Sequence, residues 1–332
     1  MFDFRSSAEW STAIPALQVA ARCTEAVRTS FDPAKLDKSD KSPVTIADFG
    51  AQALILDRIK KDFPNDDCVA EEDSQDLIQA ENQSLLNKLV SAVVAIDSEF
   101  DQSRILDSID HGNHEGGDTG RIWTLDPIDG TKGFLRNDQY AIALGLIVDG
   151  ELAFGAMACP NLPLQFKDPT SAVGSLFWAI KGKGAWMSPL NEVEAAKSIQ
   201  VKEISDLSHA SFCESVESGH SSHGHSAQIA ERLGVTAPPV RIDSQCKYAA
   251  VARADASIYL RLPTRAGYEE KIWDHAAGAL IVEEAGGKVS DIEGKPLDFS
   301  LGRTLKDNRG VVASNRAFHD QIIAAIKQVI ST

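Results

Sequence analysis

The order of apolar and polar residues predicts a mainly helical first part of the chain. Apolar residues recur at helical spacing over residues 8 to 29 and again over "VTIADFGAQALILDRIKKDFP", which we expect to end at Pro64. "CVA" predicts a short strand that leads into the acids "EED", and residues 76 to 99 are again helical. The polar stretch "FDPAKLDKSDKSP" and the glycine-rich "HGNHEGGDTGR" are predicted loops.

Short apolar runs dominate the chain after residue 140. "YAIALGLIVDGELAFGAMACP" and "SLFWAIKGKGAWMS" each predict a hairpin, as does "KVSDIEGKPLDF". "SFCES" and "GVVASN" predict single strands, and "PVRIDSQCKYAAVARADASIYLRLP" predicts strand, helix, strand. Helices are expected over residues 224 to 233 and 316 to 330, and in "IWDHAAGALIVEEAGG", where two glycines end the helix. This order predicts a mixed α/β fold of the α+β kind.

The chain length indicates two subdomains. A chain of 332 residues is too long for one compact core. We expect the boundary where the first hairpin ends, which gives an N-terminal α+β subdomain of residues 1–157 and a C-terminal α/β subdomain of residues 158–332.

Charge and cysteine content narrow the classes of partner. The net charge of -15 argues against a nucleic-acid partner, and a small anionic substrate would need local cations or a bound metal. No apolar run approaches the roughly 18 residues that cross a bilayer, and "MFDFRSSAEW" lacks the layout of a secretory signal. The five cysteines are widely spaced without a C-x-x-C pair. We therefore expect a cytoplasmic protein with no membrane or nucleic-acid partner.

The stretch "WTLDPIDGTKGF" carries the strongest chemical signal. Pro127 is expected to end a strand at Asp126, so that Asp126 and Asp129 face one point. Two such carboxylates stay ionised together only around a cation, and oxygen ligands favour Mg²⁺ or Mn²⁺. Gly130 to Gly133 is expected to open a helix whose free N–H groups suit a phosphate. The alternative is an Asx turn with a helix cap, for which one aspartate suffices.

Other candidate acids also have ordinary structural explanations. Glu71 and Glu72 lie in an acidic run, and such runs are most often solvated loops. Asp274 stands where a helix begins, a common position for a capping aspartate. Thr45 and Asp48 have the spacing of a capping box.

Several motifs together resemble a known enzyme superfamily. "AEED", "LDPIDGTKGF" and "WDHAAGALIVEEAGG" resemble the lithium-sensitive, magnesium-dependent phosphatases that include inositol monophosphatase. "KSDKSPVTIADFGAQ", "ESVESGHSSHG", "RIDSQCKYAAVARADASIYLRLP" and "YEEKIWDHAAG" resemble the 3'(2'),5'-bisphosphate nucleotidases within it. The resemblance extends from about residue 8 to 326. It implies a layered α-β-α-β sandwich of two subdomains and a monomer.

The resemblance implies two to three Mg²⁺ ions in the active site. Their implied ligands are four carboxylates and one backbone carbonyl: Glu71, Asp126, Ile128, Asp129 and Asp274. One ion would lie on Glu71, Asp126 and Ile128, a second on Asp126, Asp129 and Asp274, and a third, weaker one near Glu71 and Asp48.

The implied reaction is in-line attack of a metal-bound water, with Asp48 and Thr131 as the catalytic pair. Asp48 would accept the hydroxyl proton of Thr131, and Thr131 would accept a proton from the water. Lithium would inhibit by displacing one Mg²⁺ ion at the leaving-group side.

The implied substrate is 3'-phosphoadenosine 5'-phosphate (PAP), which would be hydrolysed to AMP and phosphate. Its sulfated relative, 3'-phosphoadenosine 5'-phosphosulfate, is expected to be converted to adenosine 5'-phosphosulfate. The resemblance assigns the adenosine 5'-phosphate part to His220, Ser244, Lys247 and Arg261, and it places Thr131 and Asp274 against the substrate as well. From the residues alone, two explanations of Arg261 stay open. Its side chain could extend from an edge strand into solvent, or it could bind an anionic ligand together with Lys247.

Some features leave alternatives open. His223 and His225 follow His220 in a serine-rich run without a nearby cysteine or acid, so we reject a zinc site and assign them no role. An inositol (poly)phosphatase needs the same acids. A non-catalytic PAP-binding sensor would be expected to lack Asp48, Thr131 or a metal acid, yet all are present. Cys246, close to Lys247, is a candidate for redox control.

Overall fold

Two β-sheets form the frame of the protein. The structure is a computed structural model that describes residues 3–30, 42–216, 223–263, 265 and 267–330. Within these residues one sheet has seven strands and the other has five. The expected mixed α/β fold is therefore confirmed.

The strands of the first sheet lie in the order of the chain. They are β1 (Asp67–Ala70), β2 (Arg121–Asp129), β3 (Ala141–Val148), β4 (Glu151–Pro163), β5 (Val173–Ile180), β6 (Gly184–Pro189) and β7 (Lys197–Ile199). β1 runs parallel to β2, and the later neighbours are antiparallel. Both hairpins predicted between residues 140 and 189 are confirmed as β3–β4 and β5–β6.

The second sheet has the order β11-β12-β10-β8-β9. Its strands are β8 (Phe212–Glu214), β9 (Val240–Arg241), β10 (Ile258–Arg261), β11 (Gly287–Ser290) and β12 (Val311–Asn315). The hairpin predicted in "KVSDIEGKPLDF" is wrong, because β11 pairs with β12 instead. Asp291 closes a turn after β11 by accepting the backbone N–H groups of Glu293 and Lys295. The segment that returns from this turn forms no strand, because the side chain of Asn308 donates to the carbonyl of Pro296 and accepts the N–H of Asp298.

The helices of the described residues agree with most of the sequence predictions. They are α1 (Ala8–Ser30), α2 (Ser42–Asp62), α3 (Gln83–Ile96), α4 (Gln102–Asp110), α5 (Thr131–Arg136), α6 (His223–Arg232), α7 (Cys246–Ala252), α8 (Ala276–Glu284) and α9 (His319–Ile330). α4 was not predicted from the sequence, although Asp101 is a capping residue that accepts the backbone N–H of Arg104. None of the described helices is long and apolar enough to cross a membrane.

Apolar residues on opposite faces of each sheet build separate cores, and this produces layers. On β3, Ile142 and Leu144 pack towards α1 and α2, whereas Ala141 and Ala143 share a core with α7 and α8. The second sheet covers the other side of α7 and α8, and α6 and α9 cover its outer face. The expected α-β-α-β sandwich is confirmed, with α6 and α9 as a further helical layer.

The expected boundary between residues 157 and 158 falls within a continuous strand. Met157 and Ala158 both lie in β4 and pair with β5. The first sheet continues to Ile199. The division into subdomains 1–157 and 158–332 stays a prediction.

Two glycines let α8 approach the first sheet closely. Gly145 and Gly155 pair side by side on β3 and β4. A Cβ atom at Gly155 would lie only 2.9 Å from the carbonyl oxygen of Ala277 on α8. This close contact brings the turn before α8, which carries Asp274, next to the acidic end of β2.

Candidate active site

Strand register brings the first two acids together. β1 and β2 are parallel, with Ala70 opposite Leu125. The next residues along the two strands are Glu71 and Asp126, so they emerge side by side. Their carboxyl groups are within hydrogen-bonding distance of each other. The closeness of these two acids follows directly from the backbone pairing.

β2 does not end at Asp126, as the sequence analysis expected, but continues through Pro127 to Asp129. Asp126 and Asp129 are three positions apart on β2, whereas their partners Ala143 and Ala141 are two apart on β3. The extra residue is a β-bulge, a place where a strand tolerates proline and changes the direction of its side chains. The bulge allows Asp126 and Asp129 to line the same cavity.

Gly130 makes the turn from β2 into α5. Its φ of 93° lies in the left-handed region, and a Cβ atom there would lie 2.8 Å from the Cβ of Ser244. Thr131 is the first residue of α5, and its side chain is exposed to the cavity. The predicted helix start at this glycine is confirmed.

Backbone contacts tie Asp129 to the turn that precedes α7. The N–H of Gln245 donates to Asp129 Oδ2 at 2.6 Å. Ser244 adopts a left-handed φ of 64°, which is unusual for a residue with a side chain, and its Oγ accepts the N–H of Cys246 at 3.2 Å. The turn thereby holds Ser244 against the cavity. Sequence reasoning missed Gln245, because its contribution is a backbone N–H that no residue type signals.

Asp274 is not a helix cap. It ends a short 3₁₀ turn, Ile272–Asp274, and His275 occupies the cap position before α8. The Asp274 carboxylate instead accepts a hydrogen bond from Arg261 Nη2 at 3.3 Å and lines the cavity. The capping alternative considered from the sequence is therefore wrong.

A single cavity of about 430 Å³ collects nearly all the predicted site residues. Those that line it are Glu71, Asp126, Ile128, Asp129, Thr131, Ser244, Lys247, Arg261 and Asp274. His220 lies outside the described residues, as does the side chain of His223, and His225 is exposed at the start of α6. The nine lining residues come from five separate segments of the chain, so their convergence is a result of the fold.

Asp48 lies behind the cavity, within α2. Because α2 begins at Ser42, Thr45 and Asp48 are inside the helix, and the capping box is wrong. The Asp48 side chain is buried, and its Oδ1 accepts no hydrogen bond from any described residue. α2 packs against α5, whose first residue is Thr131. Burial, followed by the charges of Glu72 and Glu71, raises the pKa of Asp48 well above its usual value.

The acids of the cavity repel one another strongly. Desolvation is the largest influence on Glu71, and together with the charges of Asp274, Glu72 and Asp129 it raises the pKa of Glu71 to about 8. Burial and the charge of Glu71 raise the pKa of Asp126 well above its usual value. Asp126 Oδ1 is buried and has no hydrogen-bond donor among the described residues. Unpaired buried carboxylate oxygens facing other carboxylates are the environment that a hard cation satisfies.

A second acidic group is already neutralised by an arginine. Oxygen or nitrogen atoms of Glu270, Asp274 and His275 lie within 4.8 Å of one another. Arg261 Nε lies 2.6 Å from Glu270, and His275 Nε2 lies 3.2 Å from the same carboxylate oxygen. Although burial opposes it, this pairing lowers the pKa of Glu270 to about 2. Glu270 therefore needs no metal, and the group around Glu71 and Asp126 is the better cation site. Sequence reasoning missed Glu270, whose only signal is the distant partner Arg261.

Two cations lie beside the acids in the same cavity. The Lys247 side chain is buried, and desolvation lowers its pKa while the charge of Asp129 opposes that change. Lys247 Nζ is 5.3 Å from the ring centroid of Tyr259, which also lines the cavity. Arg261 is shared between Glu270 and Asp274. Both residues are thus held inside the site, and the snorkelling alternative for Arg261 is wrong.

The buried cysteines form no disulfide in the described structure. Cys246 lies at the start of α7, and its thiol donates to the carbonyl oxygen of Tyr140 at 3.4 Å. Redox control through Cys246 stays a prediction.

Comparison with known proteins identifies the family. The sequence profile of the inositol monophosphatase family matches residues 10–331. The chain belongs to this family. Its solved members include a Thermotoga maritima IMPase (TM-score 0.64, 21% identity, 97% of this chain and 98% of that chain). The extragenic suppressor protein suhB from Bartonella henselae is similar to the same degree (TM-score 0.64, 20% identity, 97% and 99%).

Several relatives with higher sequence identity share one enzyme name. The chain is 48% identical to a 3'(2'),5'-bisphosphate nucleotidase of Emericella nidulans, over 95% of this chain and 96% of the relative. It is 46% identical to the Schizosaccharomyces pombe protein of the same name, over 98% and 96%. An Oryza sativa protein of that name is 45% identical, over 98% and 95%.

Proposed function

We propose that this protein is a 3'(2'),5'-bisphosphate nucleotidase that removes the 3'-phosphate of PAP and releases AMP and phosphate. The observation that carries the proposal is that one cavity holds both an acidic cluster suited to cations and two basic side chains, the buried Lys247 and the half-buried Arg261. The names of the relatives, which match this chain over almost its full length, support the same activity.

The two kinds of charge in the cavity suit a substrate with two phosphate groups. A phosphate on the acidic cluster requires cations between the like charges, whereas Lys247 and Arg261 attract a second phosphate directly. Ser244, beside them, adds a hydroxyl group. A phosphate monoester would use only the first of these two arrangements, so the paired arrangement favours a bisphosphate.

The acidic cluster fits magnesium. We propose that Glu71, Asp126 and the carbonyl of Ile128 hold one Mg²⁺, and that Asp126, Asp129 and Asp274 hold a second. A third, weaker ion is proposed near Glu71 and Asp48. When bound, such ions lower the pKa of water and stabilise charge on the attacking and leaving oxygens.

Asp48 and Thr131 are the proposed catalytic pair. Thr131 presents its hydroxyl to the cavity from the first turn of α5, and Asp48, on the adjoining helix, has a buried acceptor atom without a donor among the described residues. Asp48 would orient the Thr131 hydroxyl by accepting its proton, so that the threonine oxygen can in turn accept a proton from the attacking water. A positioned base of this kind contributes about 10² to 10⁴ in rate.

The rim of the cavity favours a nucleoside over an inositol ring. Leu135, Val216 and Tyr268 are exposed apolar side chains, with 45%, 42% and 51% of their surface accessible. Leu135 lines the cavity, Val216 follows the lining residue Ser215, and Tyr268 interacts with Arg261. We call these three residues the apolar rim. An aromatic base gains from contact with such a rim, whereas the hydroxyl groups of inositol do not.

Finer properties rest on the family resemblance. We propose that the sulfated relative of PAP is also a substrate, that lithium inhibits by replacing a magnesium ion, and that His220 contributes to nucleotide binding. A monomeric state and a cytoplasmic location stay predictions from the sequence.

Phosphate release from the purified protein tests the proposal. PAP, inositol 1-phosphate and inositol 1,4-bisphosphate are compared in Mg²⁺, each with and without lithium. Asp126→Asn is expected to abolish turnover, and Thr131→Ala to lower kcat about 10² to 10⁴-fold without changing the melting temperature, because Thr131 is exposed. Asp107→Asn and Thr29→Ala are matched exposed controls.

Each outcome of this assay has a definite meaning. Rapid lithium-sensitive release from PAP alone supports the nucleotidase. Preference for an inositol phosphate would keep the acidic cluster but refute the roles of Lys247 and Arg261. Normal turnover in Asp126→Asn would refute the metal assignment, and absence of turnover with all three substrates would favour a PAP-binding sensor.

A further inference from the structure

Arg303, in the loop between β11 and β12, reaches across to the end of β1. Its Nη2 donates to the carbonyl of Ala70 at 2.6 Å, and its Nη1 donates to the carbonyls of His114 at 2.9 Å and Gly112 at 3.3 Å. Ala70 is the last residue of β1, an edge strand, and directly precedes Glu71. The guanidinium group therefore fixes the backbone from which Glu71 emerges.

The same arginine also contacts the segment that leads to Asp274. The guanidinium carbon is 4.9 Å from the ring centroid of Trp273, the residue before Asp274. The N–H of Ile272 donates to the carbonyl of Arg303 at 3.2 Å, and the N–H of Leu305 donates to the carbonyl of Glu270 at 2.8 Å. Arg303 thus joins two segments that are about 200 positions apart in the chain.

The chemistry of these contacts indicates a geometric role. Among the described residues Arg303 forms no salt bridge, and its hydrogen bonds go to three backbone carbonyls. Carbonyl partners at fixed positions suit the planar fork of a guanidinium group. The side chain is half-buried, so these bonds are partly shielded from water.

The two acids that Arg303 connects repel each other. The charge of Asp274 is the largest electrostatic influence that raises the pKa of Glu71. Without a tie between their segments, this repulsion favours a wider separation of the carboxylates. Cations bound between the two carboxylates would need the narrower separation.

We propose that Arg303 is a positioning residue that sets the separation of Glu71 and Asp274 for cation binding. The inference rests on the proposed function, because it takes these two acids as metal ligands. It adds a residue that touches neither the metal nor the nucleotide.

Direct cation binding, measured without substrate, tests the inference. Calorimetry with Mn²⁺ and with Mg²⁺ is expected to show a 10- to 100-fold lower affinity in Arg303→Ala, the usual effect of removing a group that orients metal ligands. Arg303→Lys keeps the charge, but its three donors share one nitrogen and cannot span the carbonyls of Ala70 and His114 as the planar guanidinium fork does, so its affinity is also expected to fall. Arg316→Ala, at an exposed arginine near the residues that follow α8, is the control and is expected to bind as the wild type does.

Turnover of PAP gives a second readout. Arg303 lies outside the cavity lining. Raising the Mg²⁺ concentration is therefore expected to restore kcat of Arg303→Ala to within about threefold of the wild-type value, with KM for PAP unchanged. A loss of kcat that saturating Mg²⁺ does not restore would overturn the inference.

Other outcomes separate the inference from the proposed function. Wild-type affinity in folded Arg303→Ala, or full recovery of affinity in Arg303→Lys, would overturn the inference while leaving the nucleotidase proposal intact. If Arg303→Ala does not fold, the cation affinity of Arg303→Lys tests the inference: a reduced affinity supports it, and wild-type affinity overturns it. A wild-type protein that binds neither cation would overturn both.

Discussion

Replacing Glu270 by glutamine tests how the site controls Arg261. The Glu270 side chain is 6% exposed, and its carboxylate accepts hydrogen bonds from Arg261 Nε at 2.6 Å and His275 Nε2 at 3.2 Å. Since a carboxylate only accepts, His275 donates from Nε2, and its Nδ1 lies 2.7 Å from the hydroxyl of Tyr248. Glutamine keeps the shape of the side chain but removes the charge that this network is built around.

The expected loss of stability follows from the pKa of Glu270. The pKa is lowered from 4.5 to about 2 in the folded protein. The corresponding stabilisation at neutral pH is about 3 kcal/mol. This stabilisation is fully present above pH 4.5, the pKa of Glu270 in the unfolded chain, and it is lost as the pH falls towards 2, the pKa in the folded protein. Breaking a buried ion pair typically costs about 3 to 5 kcal/mol, and the lower end applies because Arg261 keeps Asp274 as a partner.

Urea unfolding followed by tryptophan fluorescence, in a chelator so that no metal contributes, measures this effect. At pH 7 we expect Glu270→Gln to lower the free energy of unfolding by about 3 kcal/mol, and at pH 3 by about half as much. Glu269→Gln, at the exposed neighbouring acid, is the control and should cost less than about 1 kcal/mol. KM for PAP is expected to rise as well, because Arg261 is then free to turn towards Asp274.

Two results would refute the reasoning about Glu270. One is a Glu270→Gln protein within about 0.5 kcal/mol of the wild type at pH 7, the range of an ordinary surface substitution. The other is an equal loss at pH 7 and pH 3, which would mean that the effect does not come from the charge of Glu270.

Three further predictions concern other parts of the site. Lys247→Ala should raise KM for PAP about 10- to 100-fold, because it removes one charge-assisted hydrogen bond to the nucleotide. KM for p-nitrophenyl phosphate should stay within about twofold of the wild-type value, and equal changes for both esters would contradict a nucleotide-binding role of Lys247. Gly130→Ala should lower the melting temperature by several degrees, because the new Cβ meets Ser244 at 2.8 Å with φ at 93°; an unchanged melting temperature in calorimetry would contradict this. In metal-free protein Glu71 holds a proton below its pKa of about 8, so Mg²⁺ affinity should rise with pH up to that value and then level off. Calorimetry between pH 6 and pH 9 should also detect proton release, and an affinity independent of pH would contradict the assignment.

The sequence predicted the elements of the fold better than their ends. The two hairpins of the first sheet and the strand-helix-strand unit around α7 followed from local apolar patterns. β2 was expected to stop at Asp126 because proline usually ends a strand, but a bulge opposite Ile142 accommodates Pro127. A bulge depends on the partner strand, which local pattern reasoning does not include.

The candidate acids were readable from the sequence, but their surroundings were not. Asp126 and Asp129 are three positions apart in a recognisable motif, and a local motif is sufficient to find them. The bond from the Gln245 backbone to Asp129 and the pairing of Arg261 with Glu270 join distant segments. Such contacts exist only after the two sheets have packed on α7 and α8, so no local window contains them.

The location of the acids explains how a protein of net charge -15 could bind the polyanionic substrate that we propose. Glu71 and Asp126 come from the ends of adjacent strands in the first sheet, while Asp274 comes from the turn before α8. These carboxylates repel one another in the empty site, and cations bound between them would offset that repulsion. The same carboxylates would repel a phosphate by themselves but attract it through the bound ions. Desolvation disfavours the charged forms of Lys247 and Arg261, whereas the charge of Asp129 favours protonated Lys247 and the charges of Glu270 and Asp274 favour protonated Arg261. Under the proposed function, one phosphate therefore depends on metal and the other does not. Removal of metal should therefore abolish hydrolysis while leaving measurable binding of the product AMP, and an AMP affinity that vanished with the metal would mean that the basic side chains do not form a phosphate site of their own.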